Sequence, residues 1–196
     1  MDVARFRKNL ELRGYTTAYF GTAAEARGYL EEQITGKTVA FGGSVTLRQL
    51  DLYEALKEKN DVVWHWDTAA GKTPRDGMQA EVFLTSVNGA SEAGELVAID
   101  GTGNRLSSML YGHEKIYYVM GVNKLASDLS AALERARNIA APQNAKRLGR
   151  KVPCAADGRC HDCLAPECLC NAILVLRRKM NSAQAEVVIV GEELGY

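Results

Sequence analysis

The chain has 196 residues, which is long enough for one domain to bury a core without disulfides holding it together. Hydrophobic residues make up 46% of the sequence and charged residues 24%, and 24 Lys plus Arg balance 24 Asp plus Glu. This composition is typical of a soluble globular protein and gives no support for nucleic acid as a partner. Charged residues lie among the apolar residues at the start of the chain, so this segment lacks the apolar core of a signal peptide. No apolar run approaches the roughly 20 residues of a membrane span. We therefore expect a cytoplasmic protein with neither a signal peptide nor a membrane segment.

The first half of the chain alternates predicted helices with short apolar strands. Thr22 with Glu25 three residues later has the capping-box pattern, which predicts a helix start. A later helix is expected to carry Leu47, Leu50 and Leu56 on one face. The predicted strands in this half are 15–20, 38–43 and 61–66.

The second half continues the alternation after a predicted loop at 69–78. A helix is expected to begin near Leu125 and to continue to Pro142. Two closing strands are separated by "NSAQ", which predicts a terminal hairpin. The pattern as a whole predicts an α/β fold with a mainly parallel sheet covered on both faces. The predicted strands here are 80–90, 95–100, 115–124, 171–180 and 185–196.

The segment "GGSVT" (42–46) stands where a predicted strand passes into a predicted helix. Its glycines would let backbone N–H groups and two hydroxyls face an anion such as a phosphate or carboxylate. The segment lacks the lysine of a Walker loop and the third glycine of a dinucleotide fingerprint. The alternative is a plain strand-to-helix turn with Thr46 as the N-cap. The candidate ligand-binding residues are Gly42, Gly43, Ser44 and Thr46.

The segment "SVNGASEAGELVAIDGTGNR" (86–105) gathers polar residues around four glycines. If the preceding strand is parallel, residues 86–92 fall in the crevice beyond the strand ends, where α/β sheets bind ligands. Glu92 is the one acid among residues 86–92, so it is a candidate nucleophile or base. Alternatively, Glu92 only caps a turn, and "DGTGN" is a hairpin connection. The candidate ligand-binding residues here are Ser86, Asn88, Ser91, Asp100 and Asn104.

His65, His113 and His161 are the only histidines, and no serine has the nucleophile-elbow pattern, so a serine–histidine triad is disfavoured. We expect His65 to be structural and His113 to be an exposed loop residue. Lys124 follows a predicted strand and could meet an anionic ligand, although a solvated helix-start lysine is the more common case.

All five cysteines lie between residues 154 and 170, with the spacing C-x5-C-x2-C-x4-C-x-C. Short thiolate spacings suit tetrahedral zinc or an iron–sulfur cluster, and His161 could replace a thiolate on zinc. The alternatives are a reversible disulfide or free thiols. The pair at Cys160 and Cys163 is predicted to lie in a loop and not at a helix start, which argues against a thioredoxin-like pair.

Several of these segments resemble the lactate-utilisation (LUD) domain family. The matching segments span nearly the whole chain in order: 39–50, 86–105, 116–125, 136–154 and 187–196. The resemblance implies one LUD-like domain over 1–196, which includes a cysteine-rich metal-binding segment at 150–172. It implies the three-layer α/β fold of the sugar-phosphate isomerase and coenzyme A transferase group. "SEAG" (91–94) is similar to the glutamate motif of coenzyme A transferases, but Ala93 replaces the usual asparagine.

The resemblance also implies a function in lactate-type organic-acid or redox metabolism, with an iron–sulfur oxidoreductase as a partner. It implies Cys154, Cys160, Cys163 and Cys170 as ligands of an iron–sulfur cluster or zinc, with Cys168 as the alternate. The favoured function is the binding of an anionic metabolite together with this metal centre. One alternative is a coenzyme A- or sugar-phosphate-dependent enzyme that uses Glu92. The other is a non-catalytic regulatory or scaffold subunit with structural zinc.

Overall fold

The structure is a computed structural model that describes residues 2–64, 66 and 71–196. Its helices are α1 (Val3–Leu12), α2 (Ala23–Gln33), α3 (Val45–Gln49), α4 (Leu52–Lys57), α5 (Asn104–Leu110), α6 (Leu129–Arg135), α7 (Ala141–Arg147) and α8 (Pro153–Asp157). Its strands are β1 (Thr16–Phe20), β2 (Thr38–Phe41), β3 (Asp61–Trp64), β4 (Val82–Thr85), β5 (Gly89–Ser91), β6 (Leu96–Asp100), β7 (Lys115–Gly121), β8 (Leu125–Ala126), β9 (Ala172–Leu176) and β10 (Gln184–Val190). Single 3-10 turns cover Asp76–Gln79 and Val122–Lys124, and a π-helical turn at Ala136–Ala140 joins α6 to α7.

Six strands form a parallel sheet in the order β1-β10-β7-β4-β2-β3. Residues of β7 alternate between its two faces, as the two-residue period of a strand requires. Ile116 and Tyr118 belong to the core on one face, and Tyr117 and Val119 belong to the core on the other. Both faces are buried, which explains why the parallel strands are nearly continuous apolar runs.

The two faces are covered by different elements. On one face α2, α3 and α4 bury residues such as Leu30, Leu47 and Leu56. On the other, α1 and α5 pack beside a smaller sheet with the order β8-β5-β6-β9. The outer side of this small sheet packs against α6 and the π-helical turn. The sheet between two helical layers confirms the predicted α/β fold with its mainly parallel sheet.

The prediction of a terminal hairpin is wrong. Both closing strands exist, but β9 pairs antiparallel with β6 in the small sheet, and β10 pairs in parallel with β1 and β7 in the large one. The apolar pattern of β10 is that of a strand buried on both faces, which a central position in the large sheet satisfies and an exposed hairpin does not.

Two helices also differ from prediction. The helix expected across Leu47 and Leu56 is divided into α3 and α4 by Asp51, whose φ of 52° lies in the left-handed region. Leu125 lies in β8, and α6 begins only after Asp128, whose carboxylate accepts a hydrogen bond from the Ala131 N–H at 2.9 Å. Within the residues that the structure describes, no helix is long and apolar enough to span a membrane.

Candidate functional site

A crevice opens at the carboxyl ends of the parallel strands. Chain segments that follow β2, β3, β4 and β7 all reach it, because the ends of parallel strands meet at one edge of the sheet. The crevice has a volume of about 360 Å³, which is within the size range of small-molecule sites. The predicted ligand-binding residues that line it are Gly43, Ser44, Thr46, Ser86, Asn88, Asp100 and Asn104.

Ser44, and not Thr46, is the N-cap of α3. Its Oγ accepts a hydrogen bond from the Leu47 N–H at 3.2 Å. Thr46 is therefore released from capping, and its hydroxyl is 3.3 Å from the carbonyl of Leu194 and 3.3 Å from Ser86 Oγ. Gly42 does not line the crevice. A Cβ on Gly42 would lie 3.0 Å from Thr85 Oγ1 and 3.2 Å from Arg105 Cγ, so the glycine permits a close approach beneath the crevice.

Lys124 differs from expectation more than any other residue of the crevice. It is only 3% exposed, so it is not a solvated helix-start lysine. Its Nζ lies 2.8 Å from Thr46 Oγ1, 2.9 Å from Ser86 Oγ and 3.1 Å from the carbonyl of Val87. The amine thus joins the segments after β2 and β4 to the end of β7. The sequence signal was its place directly after a buried parallel strand, at the same sheet edge as Ser44 and Ser86.

Two arginines hold the loop at 86–88. Arg105, with a side chain 12% exposed, donates to the carbonyl of Ser86 at 2.8 Å and to Asn88 Oδ1 at 3.1 Å. Arg135 donates to the carbonyl of Asn88 at 2.6 Å. Together with Lys124, these residues place a basic side chain on each of three successive backbone carbonyls. Three hydrogen bonds from basic groups therefore hold the backbone of this loop.

Burial opposes the charges of this cluster. Desolvation, followed by repulsion from Arg135 and Arg105, lowers the pKa of Lys124 well below its usual range. Desolvation also lowers the pKa of both arginines, although Asp100 acts in the opposite direction on Arg105. Asp100 is 3.8 Å from Arg105 Nε and also accepts the N–H groups of Thr102 and Gly103 at 2.9 and 3.0 Å. The segment "DGTGN" is consequently a strand-to-helix turn, and the hairpin alternative is wrong.

Two exposed arginines, Arg147 and Arg150, extend the positive lining to the rim of the crevice. The Arg147 guanidinium lies 4.8 Å from the ring centre of Trp66 and donates to Asn144 Oδ1 at 2.7 Å. Among the lining residues that the structure describes, Asp100 is the single acidic side chain. The crevice therefore combines hydroxyls, amides and an excess of cations.

Ser91 and Glu92 do not line this crevice, so the expectation that the whole 86–92 loop would enter it is wrong. Ser91 ends β5 and Glu92 begins the turn to β6, which contacts α1 through Arg5 and Asn9. Glu92 is 3.3 Å from Arg5 NH1 and accepts the Asp2 N–H at 3.2 Å. Ser91 Oγ donates to Glu95. After Asn88 the chain enters β5 of the small sheet, and these residues therefore leave the edge of the large sheet.

His113 is buried and not an exposed loop residue. It is 4% exposed, it stacks on Phe83 with ring centres 4.9 Å apart, and its Nδ1 is 2.6 Å from the carbonyl of Ala80. Desolvation lowers its pKa. His65 lies outside the described residues. His161 contacts Asp157 at 2.7 Å.

The five cysteines line a second cavity of about 210 Å³. All five are free thiols of intermediate burial. Cys160 Sγ accepts the Asp162 N–H at 3.4 Å and lies 3.5 Å from Arg137, and Cys168 Sγ accepts the Cys170 N–H at 3.4 Å. Burial and the neighbouring thiols raise the pKa of Cys170 to about 12 and also raise that of Cys154.

The donor set of this cavity fits a thiophilic metal, because sulfur is the predominant ligand atom and backbone N–H groups already point at two of the sulfurs. The thiols are nevertheless not drawn together into a formed centre. Within the part of the chain that the structure describes, no three His, Cys, Asp or Glu side chains are arranged to hold a metal ion. The structure does not distinguish Cys168 from the other four thiols, since all five line the cavity.

The cysteine cavity and the crevice share a wall. Leu169 and Ala141 line both of them. The Asn171 side chain donates to the carbonyl of Gly101 at 2.8 Å, and a Cβ on Gly101 would lie 3.3 Å from Leu169 Cα. The cysteine-rich segment is thus packed directly against the turn that follows β6.

The chain was compared with known proteins. None of the curated proteins matches it. A DUF162-family protein from Deinococcus radiodurans, known from a crystal structure, is similar in fold, with a TM-score of 0.59 at 14% identity and 96% of each chain covered. The family model described as the LUD domain matches residues 3–190. That match covers nearly the whole chain, so the protein belongs to the LUD-domain family.

Proposed function

We propose that this protein binds a small anionic metabolite in the strand-end crevice and acts in lactate-type organic-acid or redox metabolism. The observation that carries the proposal is the buried Lys124 amine, which lies among two guanidinium groups in a crevice with one acidic side chain among the described residues. Membership of the LUD-domain family supports the metabolic context.

The charge balance favours an anion over a neutral ligand. A buried cation is costly unless an opposite charge or hydrogen bonds compensate for its lost hydration. Asp100 is engaged with Arg105 and with two backbone N–H groups, so Lys124 and Arg135 have hydrogen bonds to neutral oxygens but no carboxylate of the described residues in contact with them. A bound carboxylate or phosphate would supply the missing negative charge, while Ser86, Thr46 and Asn104 supply hydrogen bonds.

Thermal-shift measurements would test this proposal. Inorganic phosphate, propionate, malonate and an acyl-coenzyme A would be compared with neutral propionamide at equal ionic strength. At least one anion is expected to raise the melting temperature, whereas propionamide is not. Lys124→Met should remove the shift, and Lys8→Met, which removes an exposed lysine of α1, should preserve it. Equal shifts in the two variants would contradict the proposal.

A second proposal concerns the thiols: we infer that the cysteine cavity takes up an iron–sulfur cluster or zinc. It is supported by five free thiols around one cavity and by the N–H groups directed at Cys160 and Cys168. Cys154, Cys160, Cys163 and Cys170 are the expected ligands. A cluster would supply one-electron chemistry and would suit an iron–sulfur oxidoreductase as partner, whereas zinc would only brace the segment.

Elemental analysis of protein purified without air would test the metal proposal. The expected result is stoichiometric iron with sulfide, or zinc. Cys163→Ser should abolish metal retention, while Cys168→Ser is the matched control and should retain it. Protein that holds neither metal after anaerobic reconstitution would overturn the proposal.

A further inference from the structure

We propose that the amine of Lys124 forms a covalent imine with a small 2-oxo acid bound in the crevice. This inference rests on the proposed anion-binding function and names the substrate class of the same site.

Lys124 is placed as a reactive group would be. It ends the short 3-10 turn Val122–Lys124 that follows β7. Among the described residues that line the crevice, it is the one lysine. Its Nζ is held in one position by Thr46, Ser86 and the carbonyl of Val87. A fixed amine on the wall of a small crevice meets its ligand with little loss of side-chain entropy.

The surroundings favour the neutral amine that nucleophilic attack requires. A lysine that is desolvated and lies beside other cations loses its proton more readily, and this combination activates amines for imine formation. Arg105 approaches from α5 and Arg135 from α6. Asp100, at the end of β6, contacts Arg105, whereas the hydrogen bonds of the Lys124 amine go to Thr46, Ser86 and Val87.

The reaction balances without a further reagent. The Nζ lone pair attacks the carbonyl carbon, the π electrons pass to the oxygen, and one amine proton moves to that oxygen. Ser86 Oγ and Thr46 Oγ1, at 2.9 and 2.8 Å from Nζ, can relay this proton. The new hydroxyl then leaves as water together with the second amine proton, and a C=N bond remains. Nothing is oxidised or reduced.

The crevice selects for an acid that carries the carbonyl. The amine requires an aldehyde or ketone, and the excess of cations requires a negative group on the same molecule. A volume of about 360 Å³ accepts a small molecule of this type. A 2-oxo acid places both groups on adjacent carbons, so one ligand satisfies both.

Borohydride trapping of the full chain would test the proposal. The protein would be incubated with cyanoborohydride and one of three probes: pyruvate, propionate without the ketone, or propanal without the carboxylate. Intact mass would count the adducts, and peptide mapping would locate them. The expected result is a single pyruvate adduct on Lys124, no adduct with propionate, and scattered labelling of exposed lysines by propanal.

Two further measurements keep the outcome decisive. Peptide mapping of the wild-type protein identifies the labelled lysine even if Lys124→Met does not fold. Ser86→Ala keeps the amine and removes one relay hydroxyl, so trapping should slow by about tenfold or more, within the range of a lost acid–base group. Pyruvate adducts spread over several lysines would overturn the proposal. Equal thermal shifts with pyruvate and propionate, in the absence of any adduct, would also overturn the imine proposal. That result would leave the proposed anion binding intact. No shift with any anion would overturn the proposed function itself.

Discussion

Replacing Arg105 with methionine is expected to destabilise the protein substantially, because this guanidinium organises the loop that forms the crevice wall. It donates to the carbonyls of Ser86 and Ile99 and to Asn88 Oδ1. Methionine preserves most of the aliphatic packing and removes all of these donors. Asn88 Oδ1 would keep the Ile99 N–H at 2.8 Å, so the principal loss is two carbonyls left without this partner.

The magnitude follows from the number of carbonyls that lose this donor, of which that of Ser86 keeps only the long hydrogen bond from the Thr85 hydroxyl at 3.3 Å. Each buried acceptor that loses its donor costs about 1–3 kcal/mol, so two cost about 2–6 kcal/mol. For a chain of this size, 1 kcal/mol corresponds to about 2–4 °C of melting temperature, and the expected decrease is therefore about 4–24 °C. Urea denaturation followed by circular dichroism would measure the free energy of unfolding directly.

Arg147→Met is the matched control, because it removes an exposed guanidinium from the rim of the same crevice. Its loss should cost less than about 1 kcal/mol. If Arg105→Met melts within about 2 °C of the wild type, the loop does not depend on this guanidinium and the reasoning is refuted. Equal destabilisation by both variants would also refute it.

Three more predictions concern other parts of the molecule. Glu92→Gln should leave anion-induced thermal shifts unchanged and lower the free energy of unfolding by less than about 1 kcal/mol, since it weakens only an ion pair with exposed Arg5. Loss of the thermal shift would show that Glu92 contributes to anion binding. Because burial lowers the pKa of His113 in the folded state, its contribution to stability is fully present above the unfolded pKa of about 6.5 and decreases as the pH falls below it. His113→Phe should therefore lose less stability than the wild type between about pH 6.5 and 5 in urea titrations, and parallel curves would disprove this. Gly101→Leu should displace Leu169 and speed the reaction of the cysteines with Ellman's reagent. Gly28→Ala, where a Cβ would meet open space, should not change that rate. Unchanged rates in both variants would show that the Gly101 turn does not hold the cysteine-rich segment.

Much of the fold could be predicted because its signals are local. The apolar strands, the Thr22–Glu25 capping box and the glycine turn after β2 all depend on neighbours in sequence, and the structure contains each of them. The positions of Ser44, Thr46, Ser86 and Asn88 followed from one further rule, that parallel strand ends share an edge. The anion-binding role of these residues stays a prediction.

Other features depended on tertiary contacts. Whether β9 and β10 form a hairpin depends on which sheet offers each strand a free edge, and no local pattern records that. Glu92 and Ser86 are six positions apart, yet the turn into β5 separates them. His113 became a buried residue because Phe83 and Ala80 close over it from another strand and its loop.

The sequence by itself determined that this is an α/β protein with a polar crevice at its strand ends and a cluster of five thiols, because periodicity, glycine turns and cysteine spacing are properties of short segments. Only the tertiary structure decided that Lys124 is buried beside Arg105 and Arg135, since burial is a property of everything that packs around a side chain. Basic side chains from the turn after β7, from α5 and from α6 meet at one loop there, and their mutual repulsion in a poorly hydrated site is the reason why we propose an anion as the ligand.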